Sequence, residues 1–292
     1  MRPFAYLRPT SVEEVCCMLM EHGEGAKLIA GGQSLIPMLK QRIIAPDYII
    51  DLKYVSELDY IIADGEGIRI GALATHRDVE TSPLIRERFP VLMEMERWLA
   101  QAQIKNWGTL VGNLAHADPG GDPAPPLIAL GAKVKAVSQR GERVIHLEDF
   151  FEDYLTTVLE PDELLVEVQI PNPPDSSGAA YHKETIRAGD NPIGAVAAMV
   201  RLEGEKVREA RIILGGVGPT PIKAEKASKL LSGASLGALP LSEAAKIASD
   251  EADPSSDLEG SAEYKKRIVY VLTKEIVSRA VERASAQGGR SR

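Results

Sequence analysis

The stretch Lys27-Leu28-Ile29-Ala30-Gly31-Gly32-Gln33-Ser34-Leu35-Ile36-Pro37 decides how this chain is read. An apolar run enters two adjacent glycines, then a Gln-Ser pair, then a second apolar run. The pattern predicts a short buried strand ending in a tight turn. Gly31 and Gly32 carry no Cβ to hold a ligand off the backbone, and successive N–H groups at such a turn suit a phosphate or diphosphate. A strand-to-helix turn that merely needs glycine has the same letters. The stretch alone leaves both readings open.

The rest of the composition narrows the choices. A chain of 292 residues has room for two or three small domains or one large one. Its net charge of -8 argues against a general nucleic-acid binder, whose surface is basic. No apolar run is long enough to span a bilayer, and Met1-Arg2-Pro3-Phe4-Ala5-Tyr6 lacks the apolar core of a signal peptide, so a cytoplasmic location is expected. The only cysteines, Cys16 and Cys17, are adjacent, which suits neither a redox pair nor a zinc site. An iron–sulfur cluster held by this chain alone is excluded, since it would need four thiolates. The histidines at 22, 76, 116, 146 and 182 are scattered, and no metal site is expected.

In chain order, Ser11-Val12-Glu13-Glu14 has the form of a capping box opening a helix with Val12, Val15, Cys16 and Leu19 on one face. Helical turns over 35–41 and a strand at 48–52 complete a small α/β unit. A hairpin pattern follows over 60–70, then a helix capped by Thr75, then a longer helix over 84–100 broken at Pro90. The run from Gln103 to Pro123 has the Gly, Asn, Asp and Pro density of an irregular loop, and a loop that long is expected to be functional. After it come a proline-led helix at 125–130, a hairpin over 133–146 and a strand at 164–170. Pro171-Asn172-Pro173-Pro174-Asp175-Ser176-Ser177-Gly178 is the clearest boundary. Beyond it lie three strand patterns, the Gly215–Pro219 loop, three helical patterns and an expected frayed tail at 288–292.

Gly-x-Gly-x-x-Gly, the Gly-x-x-x-x-Gly-Lys-Ser/Thr loop and the Gly-x-Ser-x-Gly elbow are all missing, so neither a Rossmann nor a P-loop fold is supported. What remains is two glycine-bearing loops. Together they would suit a dinucleotide held by its diphosphate between subdomains.

These two loops, with Ile104-Lys105-Asn106, Gly108-Thr109, Ala115-His116-Ala117-Asp118-Pro119, Asp122, Gly233 and the Glu259-Gly260-Ser261-Ala262-Glu263-Tyr264 stretch, resemble one family over essentially the whole chain. It is the FAD-binding medium subunit of molybdenum hydroxylases, closest to the aerobic carbon monoxide dehydrogenase type and found also as a domain of xanthine dehydrogenases. The resemblance implies an α+β chain. Residues 1–176 would form the two-subdomain FAD fold of the vanillyl-alcohol oxidase type (subdomains at about 1–55 and 56–176). Residues 177–292 would form a smaller α+β domain with a three-stranded antiparallel sheet and helices.

It also implies a site. Ile29, Ala30, Gly31, Gly32, Gln33, Ser34 and Leu35, with Thr109, Leu110, Val111, Gly112 and Asn113, match the loops that wrap the FAD diphosphate. Asp122 matches an acidic residue placed against the FAD, Leu165 a backbone contact to the flavin, and Lys183 a lysine at the flavin edge, where a cation stabilises the reduced ring. Without the resemblance, Asp122 reads as an Asx turn and Lys183 as a solvated surface cation. Three departures stand out. Val111 replaces a glycine and so must keep an ordinary φ. Asn191-Pro192 stand where many relatives place a tyrosine over the flavin. Gln33, where some relatives have histidine, cannot form a covalent flavin link, so FAD is expected to be held non-covalently.

The resemblance further implies no catalytic residue in this chain and two partners: a large molybdopterin-binding subunit and a small subunit with 2Fe–2S clusters, assembled as a dimer of heterotrimers. Electrons would pass from those clusters to this FAD and on to an external acceptor. The substrate (carbon monoxide, a purine, an aldehyde or an aromatic thioester) would be chosen by the large subunit. The alternatives are a self-sufficient FAD oxidase of the same fold and a non-catalytic nucleotide-binding module.

Overall fold

Parallel pairing builds the first unit of the computed structural model, which describes residues 1–288. β1 (Ala5–Leu7), α1 (Val12–His22), β2 (Ala26–Ile29), α2 (Leu35–Gln41) and β3 (Tyr48–Asp51) follow one another, and β3 lies between β1 and β2, parallel to both. Parallel neighbours need crossovers, and α1 and α2 supply them. The Ser11 hydroxyl accepts the Glu14 N–H at 3.2 Å and starts α1. The Glu14 carboxylate, however, takes the Thr10 N–H at 2.6 Å, so only half of the expected capping box forms.

The second unit is an antiparallel sheet wrapped by short helices. Its elements are β4 (Ile61–Ala63), β5 (Gly67–Gly71), α3 (His76–Thr81), α4 (Pro83–Arg88), α5 (Pro90–Trp98), α6 (Ala102–Lys105), α7 (Leu110–His116), α8 (Ala124–Ala129), β6 (Lys133–Ser138), β7 (Gly141–His146), the small pair β8 (Phe151–Asp153) and β9 (Thr156–Thr157), and β10 (Leu164–Pro171). The sheet order is β4-β5-β10-β6-β7, with β10 central and its first five residues buried on both faces. Its pairing with β6 slips between Leu165 and Glu167. The stretch expected as an irregular loop over 103–123 instead holds α6 and α7. The Thr109 hydroxyl caps α7 by accepting the Gly112 N–H at 3.0 Å, and Leu110, Val111 and Leu114 are buried. Capping and burial outweigh the poor helix propensity of Gly112 and Asn113.

The third unit is a sheet between two cores. β11 (Ser177–Glu184), β12 (Gly194–Glu203) and β13 (Lys206–Gly215) are antiparallel, and a two-residue β14 (Ile222–Lys223) joins β13, giving four strands where three were expected. β14 is too short to show in a hydrophobic pattern. α9 (Glu225–Leu231), α10 (Leu241–Glu251) and α11 (Ala262–Gly288) follow. Gly288 therefore ends a helix, and the tail expected after it, 289–292, lies outside the described residues. Alternation sorts the two faces of the sheet. Val196, Ala198 and Val200 pack with Val269, Ile276 and Ala280 of α11, while Ala195, Ala197 and Met199 join the core of the second unit. Two buried faces explain why β12 reads as an unbroken apolar run.

α11 approaches β11 at Gly178, where a Cβ would overlap the Ala280 carbonyl and the Ala284 nitrogen. Arg279 and Arg283 of α11 both reach Glu94 on α5, and Arg283 also donates to the Ala179 carbonyl at 2.6 Å. Replacing Gly178 with alanine should destabilise the chain by about 1–3 kcal/mol through overpacking. Urea denaturation of the variant checks this, and an unchanged midpoint would mean that α11 does not sit so close to β11.

Candidate functional site

Glycine permits the two loops to touch. A Cβ on Gly31 would overlap the Trp107 carbonyl oxygen, and one on Gly108 would lie 3.4 Å from Gln33 Cγ. Gly32 takes φ +69°, a left-handed conformation that glycine adopts without strain. The second loop is held in turn by α3: the His76 N–H donates to the Gly108 carbonyl at 2.9 Å, the Leu110 N–H to the Ala74 carbonyl at 3.2 Å, and Thr75 bridges Thr109. Thr75 and Asp78 form a reciprocal capping box that fixes the start of α3.

A cleft of about 600 Å³ opens where the loops meet, within the usual range for a small-molecule site. Ile29, Ala30, Gly31, Gly32, Gln33, Ser34 and Leu35 line it from one loop, and Thr109, Val111, Gly112 and Asn113 from the other, with Asp122 and Leu165 also on its wall. Two expected residues do not reach it. Leu110 is fully buried in the core, and Lys183 lies behind Asp122.

The donors along the first loop have no partners of their own. Among the described residues, nothing accepts a hydrogen bond from the backbone N–H groups of residues 31–35, and the Ser34 hydroxyl caps nothing. On the second loop the Val111 N–H is likewise free, whereas Gly112 and Asn113 donate to the Thr109 hydroxyl and carbonyl. Val111 keeps the helical backbone that its Cβ requires, as a residue of α7. Asp118, Asp122, Glu163 and Asp190 line the cleft beside Lys27, His76 and His116, and the unpartnered N–H groups are donors that an anion would bind. Gln33 Nε2 donates to the Gly31 carbonyl at 3.1 Å. The cleft fits FAD: side-chain-free glycines, free N–H groups for a diphosphate and the Asn113 amide line a space of suitable size.

Asp122 is neither an Asx turn nor a free acceptor. Its Oδ1 accepts from the Tyr181 hydroxyl at 2.6 Å and its Oδ2 from Lys183 Nζ at 2.8 Å, and Lys183 also donates to the Asp190 carbonyl at 2.9 Å. Tyr181 and Lys183, two apart on β11, are each 1 % exposed, so Lys183 is not the solvated cation that its isolated position in the sequence implied. Burial pushes the Asp122 carboxyl up, against the pull of the Lys183 ammonium and the Tyr181 hydroxyl. Burial and the Asp122 charge together drive the Tyr181 hydroxyl well above its ordinary value. The trio ties the cleft wall to the third sheet.

Several wall residues escaped the sequence reading. Asp118 shapes the wall by accepting the Gly120 N–H on Oδ1 and the Gly121 N–H on its carbonyl, each at 2.8 Å. Gly120 faces Asn191, and Gly189 packs on Ala100. Asp118 falls inside the Asp-Pro-Gly-Gly run, which was a usable signal. His76 directly follows the predicted cap Thr75, but nothing in the sequence pairs it with Glu96, whose Oε1 lies 2.9 Å from its Nδ1.

Known proteins share the sequence and fold of this chain. The FAD-binding domain of molybdopterin dehydrogenases matches residues 2–173, and the C-terminal domain of carbon monoxide dehydrogenase flavoproteins matches residues 179–280. The chain is 37% identical to the 6-hydroxypseudooxynicotine dehydrogenase complex subunit alpha of Paenarthrobacter nicotinovorans, over 96% of this chain and 95% of that one. It is 35% identical to the carbon monoxide dehydrogenase medium chain of Afipia carboxidovorans, over 96% and 98% of the two. A solved carbon monoxide dehydrogenase from Hydrogenophaga pseudoflava superposes with a TM-score of 0.93 at 34% identity, covering 97% of this chain and 99% of that one.

Replacing Lys183 with methionine strands the Asp122 carboxylate in a dry site, and the flavin-free chain should lose about 3–5 kcal/mol. Adding Asp122→Asn should restore much of that loss. Chemical denaturation of Lys183→Met, Asp122→Asn and the double variant reads the coupling; strictly additive losses would contradict a coupled pair.

Proposed function

The chain belongs to the family of FAD-binding medium subunits of molybdenum hydroxylases, the carbon monoxide dehydrogenase and xanthine dehydrogenase type, and on that premise we propose that it is the FAD-binding electron-transfer subunit of such an enzyme. The observation that carries the reading is the row of free N–H groups over residues 31–35, set where the Gly31 turn meets the Trp107–Gly108 turn. FAD, when bound, supplies a reversible two-electron store. The chain's own work is to hold it. The amides of residues 31–35 and of Val111 bind the diphosphate, Asn113 adds a side-chain amide, and Thr109 spends its hydroxyl on α7, which positions the Val111 donor. Leu165, beside the irregularity in β10, offers backbone to the flavin. Asp122, tied to Lys183 and Tyr181, is a braced wall and brings the lysine's positive charge near the flavin without exposing it.

Residues 1–176 form the FAD part, with subdomains at about 1–55 and 56–176, and residues 177–292 the C-terminal domain. The chain works in a hetero-oligomer with a large molybdopterin-binding subunit and a small iron–sulfur subunit, arranged as a dimer of heterotrimers. Two adjacent cysteines cannot ligate clusters, which agrees with clusters supplied by a partner. No helix among the described residues is long and apolar enough to cross a membrane, and we place the complex in the cytoplasm.

The purified chain should carry a flavin absorbance band, and a folded, colourless protein that takes up no FAD would overturn the reading. Gly32→Val forces a β-branched residue into φ +69°, with its Cβ 2.9 Å from Ile36 Cδ1, and should lose most of its FAD while keeping its fold. Flavin content against far-ultraviolet circular dichroism tests this; full occupancy in the folded variant would place the cofactor on another loop.

A further inference from the structure

One buried ionisable pair beneath the cleft has no part in the scheme above. His76 and Glu96 are 2 % and 0 % exposed, and Nδ1 lies 2.9 Å from Glu96 Oε1. The other carboxylate oxygen, Oε2, has no partner among the described residues. Lys105 donates to the Glu80 carboxylate at 2.6 Å and to the Glu96 backbone carbonyl at 3.0 Å, so it braces the helix of Glu96 without pairing with its carboxylate. Among the described residues, the imidazole is thus the one side chain hydrogen-bonded to that carboxylate.

The far edge of the ring looks the other way. His76 lines the cleft, and its Cδ2 lies 3.5 Å from the position a Cβ on Gly108 would take, next to Gln33 Cγ at 3.4 Å. That is where the two glycine turns meet. No hydrogen bond among the described residues reaches Nε2, so the ring has one nitrogen engaged and one free at the junction of the anion-binding loops. Burial pushes the Glu96 carboxyl up, against the pull of His76, which favours a proton shared between Oε1 and Nδ1, and that sharing leaves the ring's other hydrogen on Nε2 as a donor.

We propose that His76 donates a charge-assisted hydrogen bond from Nε2 to a phosphate oxygen of the bound dinucleotide, and that Glu96 is the positioning residue that holds the ring in its donor form. The idea rests on the FAD reading of the cleft and adds an imidazole N–H to a diphosphate site otherwise made of backbone amides and the Asn113 amide. It gives the unpaired Glu96 oxygen a physical sense: burial pushes this carboxyl up, so a group left short of partners in a dry site shares a proton with Nδ1. Glu80 on α3 and Lys105 on α6 pair with each other. Asp122, another acid on the cleft wall, is paired with Lys183.

The test compares flavins with and without phosphate on the full-length, flavin-stripped chain, titrated with FAD and with riboflavin and followed by flavin fluorescence. His76→Leu should weaken FAD binding by about ten- to a hundredfold and leave riboflavin binding unchanged. His76→Gln, whose amide N–H reaches the position of Nε2, should recover most of the loss. Glu96→Gln should weaken FAD selectively, because Nδ1 loses the carboxyl that shares a proton with it and Nε2 is no longer held as a donor. Equal loss of FAD and riboflavin binding would put His76 at the flavin ring and overturn the proposal. Equal losses in His76→Leu and His76→Gln with a lowered melting temperature would reduce it to packing and also overturn it. A wild-type chain that binds no FAD at all would instead sink the parent reading.

Discussion

The contact between Gly31 and the Trp107 carbonyl is the constraint on which the site depends. It joins a parallel α/β unit to an antiparallel sheet through backbone alone, leaving no room for a Cβ. Each side of the contact is separately anchored. β2 carries the first turn and pairs with β3, while α3 is bonded to the second through the Gly108 and Ala74 carbonyls. Two rigid units thus present N–H groups to one space. A ligand entering it displaces water from donors that have no internal partner and disturbs no bond already made.

Charge is arranged so that the cleft can accept an anion despite an acidic chain. Asp122 is buried against Lys183 and Tyr181, and Glu163 is held by Arg143 at 2.7 Å. These two wall acids are already matched by cations, and Asp118 spends Oδ1 on the Gly120 N–H. The same links hold the units together: Tyr181 and Lys183 belong to the third sheet and Asp122 to the loop before α8, while Glu94 on α5 takes the two arginines of α11. The C-terminal domain is therefore part of the support for the cleft wall, one face of its sheet lying in the core of the FAD part.

Much of this was legible in the sequence. The glycine turn, the Thr75 cap, the hairpins and the apolar run of β12 follow from local chemistry and periodicity, and the two-loop resemblance named the family and the two loops that meet at the cleft. The misses have physical causes. Over 103–123, Gly, Asn and Asp signalled a loop, but the Thr109 cap and the burial of Leu114 made α7. Leu110, inside the matched loop, turns into the core because its N–H is bound by Ala74. Lys183 resembled a surface cation because its partner lies 61 positions away, and Glu96 lies 20 from His76; no local pattern encodes such pairs.

Hydrogen exchange at single-amide resolution tests the central claim most directly, with the full-length chain compared with and without FAD. The account predicts that FAD slows exchange of the amides of residues 31–35 and of Val111, the donors left free by the fold, while Leu110 and Gly112, already bonded within the chain, change little. Identical exchange at residues 31–35 in the two states, with FAD demonstrably bound, would contradict it.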